Sequence, residues 1–285
     1  MGGGAPVEGM EFRDLLTITR GKDRVKSGHR VTRFRRMRVP IGCSSIDHIL
    51  GGGVESGALT EFFGEAGVGK TNVCLMLARN VARQGRKAIY IDTEGVSFER
   101  LQQICGADFN NVKSHILFFE PYTLKEQEAI VEKACRLASG SADIGIVILD
   151  SATLLYRASL GGGMDVQNRR AIGNQLQALV GVARRKDLPV VITNQVFTNV
   201  ETDVLEPLGG QTMRHISKAV IRLEKVGIGR RMASTVKHRS LAEGQQAPFI
   251  ITSRGLEAPD TYLPPLEAAP VAVEVTRAPS STGLL

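Results

Sequence analysis

Gly64-Glu-Ala-Gly67-Val-Gly69-Lys70-Thr71 has the spacing GxxxxGK[ST]. Glycines at the first, fourth and sixth positions let a backbone wrap tightly, so that consecutive N–H groups converge on phosphate oxygens. The apolar run Leu59–Phe63 before it reads as a strand. The periodic Val73, Leu75, Leu77, Ala78 and Val81 after it read as a helix over Asn72–Gln84. A strand, a glycine loop and a helix N-terminus in that order make an anion site with the helix dipole behind it. The spacing predicts ATP bound by Gly64, Glu65, Ala66, Gly67, Val68, Gly69, Lys70 and Thr71. Lys70 would reach the β- and γ-phosphates, and the Thr71 hydroxyl would ligate Mg2+.

Moving outward, strands are predicted at Lys87–Asp92, His115–Glu120, Ile144–Asp150 and Pro189–Asn194. Helices are predicted from a Ser97 cap to Cys105, over Leu124–Ala138 and over Asp165–Lys186. Ile144–Asp150 is continuously apolar until its last residue, as a strand buried on both faces must be. Alternating β and α units imply a mostly parallel, twisted sheet with helices on both faces. Strand patterns at Ala219–Leu223, Arg231–Arg239 and Pro248–Thr252 then add an antiparallel C-terminal edge. The strand tips carry the chemistry. Asp150 stands where a carboxylate holds magnesium through a water opposite Thr71. Glu94, in Tyr90-Ile-Asp92-Thr-Glu94-Gly95, could activate the water that attacks the γ-phosphate, or simply cap a helix. Gln195, in Thr193-Asn194-Gln195, could sense that phosphate and order the loop beyond it, or serve the turn alone.

Composition excludes more than it assigns. The 285 residues are 42% hydrophobic and 23% charged, which suits one large globular α/β domain. No apolar run is long enough for a membrane helix. Cys43, Cys74, Cys105 and Cys135 are scattered without metal-ligand spacing and read as core thiols of a reducing, cytoplasmic compartment. Net charge is +7, but residues 1–36 hold +5 of it, so the core is nearly neutral. That glycine- and arginine-rich leader is expected to be disordered. It is either upstream of a true start at Met37 or a DNA-binding arm. Residues 257–285, with five of the eleven prolines, read as a flexible tail, leaving 37–256 as the ATPase core.

Together these motifs resemble the RecA/RadA recombinase superfamily, and most closely its archaeal RadB branch. The resemblance runs from about Met37 to Leu256. It rests on Ile41-Gly-Cys-Ser-Ser-Ile-Asp-His-Ile-Leu-Gly-Gly-Gly53, the glycine loop, Tyr90–Gly95, Leu149–Arg157, Leu188–Gln195, Pro207-Leu-Gly-Gly210 and Lys237-His-Arg239 with Phe249–Thr252. It implies a RecA-like P-loop NTPase core, with Glu94 as catalytic glutamate, Asp150 on the magnesium side and Gln195 as nucleotide sensor. It further implies an accessory DNA-binding protein of repair and recombination, with weak ATPase activity and little or no strand exchange. Single-stranded or branched DNA is the expected partner, beside the main RadA-like recombinase, and a homo-oligomer is open. The alternatives are an active strand-exchange recombinase and a KaiC-like ATPase outside DNA metabolism.

Two stretches match the family's DNA-facing loops. Ala158–Asn168 is glycine-rich and flanked by Arg157, Arg169 and Arg170, which suits phosphate contact or a solvated surface equally. Phe197–Leu208 holds Glu201, Asp203 and Glu206 with no Lys or Arg, and its charge of −3 should repel a phosphate backbone. Between Arg222 and Arg239, Arg222, Lys225, Arg230, Arg231, Lys237 and Arg239 face one acid, Glu224. This stretch reads as a DNA-contacting hairpin, as a finger reaching a neighbour's γ-phosphate through Lys237 and Arg239, or as a charged edge that prevents strand pairing. Phe63-Gly-Glu-Ala66 spells the FxxA polymerisation pattern but belongs to the strand and glycine loop.

Overall fold

A computed structural model describes residues 37–160, 165–199, 204–208, 213 and 215–262. The leader 1–36 and the tail beyond residue 262 lie outside the described residues.

The central sheet has nine strands. Its parallel part is built from β3 (Leu59–Gly64), β4 (Lys87–Asp92), β5 (Ile116–Phe119), β6 (Ile144–Asp150), β7 (Val190–Asn194) and β10 (Ala219–Gly227). Its antiparallel edge adds β11 (Arg230–His238), β12 (Gln246–Thr252) and β13 (Gly255–Glu257). The spatial order is β13-β12-β11-β10-β3-β7-β6-β4-β5. Every strand from β10 to β5 runs parallel to its neighbour, and β10 to β13 are antiparallel. The expected parallel sheet with an antiparallel C-terminal edge is therefore present. A small separate ladder pairs β1 (Arg38–Val39) with β2 (Val54–Glu55), flanking a short helix α1 (Ser44–Ile49).

Strand alternation sorts the sheet's side chains into two cores. Phe62, Ala88, Tyr90, Ile146, Ile148, Val191 and Ile221 pack under α2 (Lys70–Arg83), α3 (Phe98–Cys105) and α4 (Phe109–Ser114). Leu59, Ile89, Ile91, Val147, Leu149, Val190 and Ile192 pack on the other face under α5 (Leu124–Gly140), α6 (Leu154–Ala158) and α7 (Asp165–Lys186). β6 feeds both cores with successive residues, which is why its run is unbroken apolar. Burying a residue of that kind stabilises by about 1.5–3 kcal/mol. Ser97 caps α3 by accepting the Arg100 amide at 3.1 Å. Thr123 caps α5 likewise through Glu126 at 3.2 Å. Cys43, Cys74 and Cys105 are buried and Cys135 is half-buried; all four are free thiols, in line with core cysteines.

Of the two expected DNA-facing loops, residues 161–164 and 200–203 lie outside the described residues. Arg157 stands on α6, and α7 spans Asp165–Lys186 as expected, so Arg169 and Arg170 are exposed residues of its first turns. The acidic stretch forms a hairpin in which β8 (Val196–Asn199) pairs antiparallel with β9 (Val204–Pro207). The start of the expected tail is also built into the fold, since Glu257 pairs with Ile250 at the sheet edge.

Candidate functional site

β3, β7, β6 and β4 end on the same edge of the sheet, and their tips form the site. Leaving β3, the chain must turn sharply. Gly64 has φ +154°, and a Cβ there would stand 2.2 Å from the Leu223 carbonyl oxygen. Gly67 and Gly69 also adopt positive φ, +73° and +112°, a region that favours glycine. Val68 is fully buried and anchors the loop to the core. No acid stands in the first turn of α2, so its positive end opens onto the loop unopposed.

Lys70 is buried, and its Nζ donates to the Gly64 and Glu65 carbonyls at 2.9 Å each. Burial pushes its ammonium pKa down, and the charges of Glu94 and Asp150 push it back up. The ammonium is thus held by weak neutral acceptors, which phosphate oxygens can replace with stronger charge-assisted bonds.

Asp150 has no solvent exposure. Its carboxylate accepts hydrogen bonds from Tyr90 Oη at 2.7 Å and from the Thr193 hydroxyl. Burial raises its pKa. The bonds from Thr193, Tyr90 and Thr71 lower it, and the charge of Glu94 raises it further. Sequence reasoning placed Asp150 opposite Thr71, and Thr71 is among the groups that lower the Asp150 pKa. With hydroxyls already on both oxygens, this carboxylate suits a magnesium held through water better than direct ligation. Among the described residues there is no cluster of three or more His, Cys, Asp or Glu able to hold a metal.

Beyond β4, Asp92 accepts the amides of Glu94, Gly95 and Val96 at 3.0, 2.9 and 2.6 Å. This turn presents Glu94 to solvent at the mouth of the site. There the Gln195 Nε2 donates to Glu94 Oε1 at 3.1 Å, joining residues 101 positions apart. Arg157 Nη1 in turn donates to Gln195 Oε1 at the long distance of 3.5 Å. Gln195 is the residue between β7 and β8, and its carbonyl accepts the Leu208 amide at 2.9 Å, closing the β8–β9 hairpin. Three sequence candidates, Glu94, Gln195 and Arg157, therefore form one chain of contacts from the turn after β4 to α6 and the hairpin.

The Rad51 family model matches residues 32–259. The DNA repair and recombination protein RadB of Methanococcoides burtonii is 44% identical over 215 residues, covering 75% of this chain and 95% of that protein. RadB of Archaeoglobus fulgidus is 42% identical over 225 residues, covering 79% and 100%. The chain belongs to the RadB branch of the Rad51 family. The crystal structure of a RadB recombinase superposes with a TM-score of 0.68 at 32% identity, covering 78% of this chain and all of that one.

The basic stretch of this RadB family member does not form one surface. Arg222 pairs with Glu224 at 2.7 Å. Lys237 donates to the Ser217 carbonyl at 2.9 Å, and Arg239 pairs with Glu55. Lys237 stands across from Val220, near the start of β10, whereas the glycine loop adjoins the strand's other end. Both side chains of the expected finger are thus engaged within the chain, away from its own phosphate loop. Arg231, at the other end of β11, donates to the Gly67 carbonyl at 3.3 Å. Arg230 is exposed and lines a cavity of about 490 Å³ with Val226, Met232 and Tyr262.

Sequence reasoning missed two further groups. Asn194 donates to Glu61 Oε1 at 2.9 Å and to the Leu208 carbonyl at 2.8 Å, while Ser217 donates to Glu61 Oε2 at 3.0 Å. This buried network fixes the tip of β7 and the exit of the hairpin together; a carboxylate inside the strand Leu59–Phe63 was its one visible signal. Arg100 reaches from α3 to Asn72 Oδ1 at 2.7 Å and the Thr252 carbonyl at 2.8 Å. Its guanidinium therefore lies beside the start of α2, next to Thr71.

Proposed function

We propose that this chain is an ATP- and DNA-binding accessory protein of DNA repair and homologous recombination, with slow ATP turnover and little or no strand exchange. The observation that carries the reading is the Gln195–Glu94 hydrogen bond. It ties the carboxylate best placed to activate water to the first residue of the β8–β9 hairpin. A γ-phosphate arriving beside Glu94 changes what Gln195 can bond, and the hairpin follows. Binding of nucleotide is thereby converted into a change at a surface that faces DNA, in the manner of an order-controlling switch.

In this reading Gly64 to Thr71 hold the phosphates, Lys70 neutralises them, and Thr71 with Asp150 holds Mg2+, which supplies charge neutralisation at the β- and γ-oxygens. Arg157, Arg169 and Arg170, all exposed, supply DNA phosphate contacts on α6 and α7. The acidic residues Glu201, Asp203 and Glu206, in a stretch without Lys or Arg, should repel a phosphate backbone, which argues for accessory binding over strand exchange. The names of the RadB relatives support a place in DNA repair and recombination; a RadA-like recombinase is the partner this reading proposes. Among the described residues no helix is long and apolar enough to cross a membrane.

Phosphate release and nucleotide binding measured on Glu94→Gln test the assignment. The variant should retain Mg-ATP binding while turnover falls by about 100-fold or more, the usual size of a general-base contribution. Turnover equal to that of the unsubstituted chain would remove Glu94 from the reaction.

A further inference from the structure

We propose that the β10–β11 hairpin clamps the terminal phosphates of the nucleotide bound to the same chain, with Lys225 touching phosphate and Arg231 positioning the glycine loop. The proposal rests on the ATP reading above and adds a source of charge to it.

β10 pairs parallel to β3, with Leu223 opposite Gly64, so the hairpin beyond Leu223 overhangs the phosphate loop. Ile221 and Leu223 on β10, and Ala233 on β11, belong to the core under α2. Alternation along each strand puts Lys225 and Arg231 on that same face, one step further out. They are also direct cross-strand partners. Two like charges facing each other across a ladder are destabilising, and no acid is interposed. The Lys225 Nζ lies 3.6 Å from where a Cβ would stand at Gly67. Arg231 Nη2 donates to the Gly67 carbonyl at 3.3 Å and Nη1 to the Gly229 carbonyl at 3.4 Å, while its Nε is buried with no hydrogen-bond partner.

A half-buried guanidinium with two long bonds to neutral carbonyls and an unused N–H is under-satisfied. Beside it stands a second cation, and both adjoin a loop whose amides collect phosphate. An anion reaching Gly67 resolves the repulsion and receives charge-assisted bonds. The Lys225 charge also pushes the pKa of Lys70 down, which places the two ammonium groups within electrostatic reach of one target. Lys225 is the group expected to touch phosphate. Arg231 is a positioning residue that holds the Gly67 peptide with its carbonyl outward. Because both come from the chain that owns the loop, the clamp acts without a neighbouring subunit.

The test compares the full chain with Lys225→Met, Arg231→Gln and Arg231→Lys. Readouts are thermal midpoints without nucleotide, calorimetric affinities for Mg-ATP and Mg-ADP at two protein concentrations, and the affinity for a labelled single-stranded oligonucleotide. Lys225→Met should leave the nucleotide-free midpoint unchanged or higher, because a repulsion is removed. It should weaken ATP by about tenfold, the equivalent of one charge-assisted bond, and ADP by clearly less. Arg231→Gln should weaken both nucleotides, with recovery in Arg231→Lys, and no effect should depend on protein concentration. If the unsubstituted chain binds ATP and Lys225→Met binds it equally well, the clamp is refuted and the ATP reading stands. Loss of DNA binding with unchanged ATP affinity assigns the pair to DNA and overturns the clamp as well. If the unsubstituted chain binds no ATP, the reading beneath the clamp fails, and the clamp fails with it.

Discussion

Replacing Gln195 with alanine removes the link between Glu94 and the β8–β9 hairpin while leaving the phosphate loop intact. The Gln195–Glu94 bond is 3.1 Å long, has a charged acceptor and is exposed. A bond to a charged group contributes about 1.5–3 kcal/mol, and solvent exposure places this one near the lower bound. A ligand shifts an equilibrium only by the difference in its contacts with the two states. One such bond therefore limits the coupling between ATP and DNA to about tenfold. Fluorescence anisotropy with a labelled single-stranded oligonucleotide, in Mg-ATP and in Mg-ADP, measures it. The unsubstituted chain should show a ratio of affinities near that limit, and Gln195→Ala a ratio near one, with folding stability changed by under about 0.5 kcal/mol, as for a surface substitution. An undiminished ratio in Gln195→Ala would refute the relay.

Two other outcomes follow from the geometry. Gly64→Ala should destabilise the fold by about 3 kcal/mol, because its Cβ meets the Leu223 carbonyl at 2.2 Å; urea unfolding within about 0.5 kcal/mol of the parent chain would contradict the turn described. His238 Nδ1 accepts the Ser240 and Leu241 amides at 3.2 and 3.1 Å, and burial, then the charge of Arg38, lowers its pKa from the ordinary 6.5. The unfolded chain then takes the proton first, so this contribution to stability is present above pH 6.5 and declines as pH falls below it. Urea unfolding at pH 7.5 and 5.5 should show that decline, and His238→Asn should flatten it.

Much of the site was legible because its signals are local. The glycine loop, the unbroken apolar run of β6 and the Ser97 cap each declare themselves within ten residues. Asp150, Glu94 and Gln195 were found as strand-tip residues, and the parallel sheet gathers them at one edge. Contacts made across the chain were not legible. Glu61 meets Asn194 over 133 positions, and Arg231 meets Gly67 over 164. The basic run Arg222–Arg239 misled for the same reason. Its charges read as one surface, but a hairpin sends its two ends to opposite edges of the sheet, and Glu55 and Ser217 occupy one of them. The β8–β9 pairing was hidden by its acidic, weakly alternating sequence.

The most direct measurement is the affinity of the chain for single-stranded DNA with Mg-ATP, with Mg-ADP and without nucleotide, across a range of salt. A nucleotide-gated DNA-binding protein should bind most tightly in one nucleotide state, and its affinity should fall linearly with salt on logarithmic axes. Affinity that is equal in all three states, or binding that is absent or insensitive to salt, would contradict it.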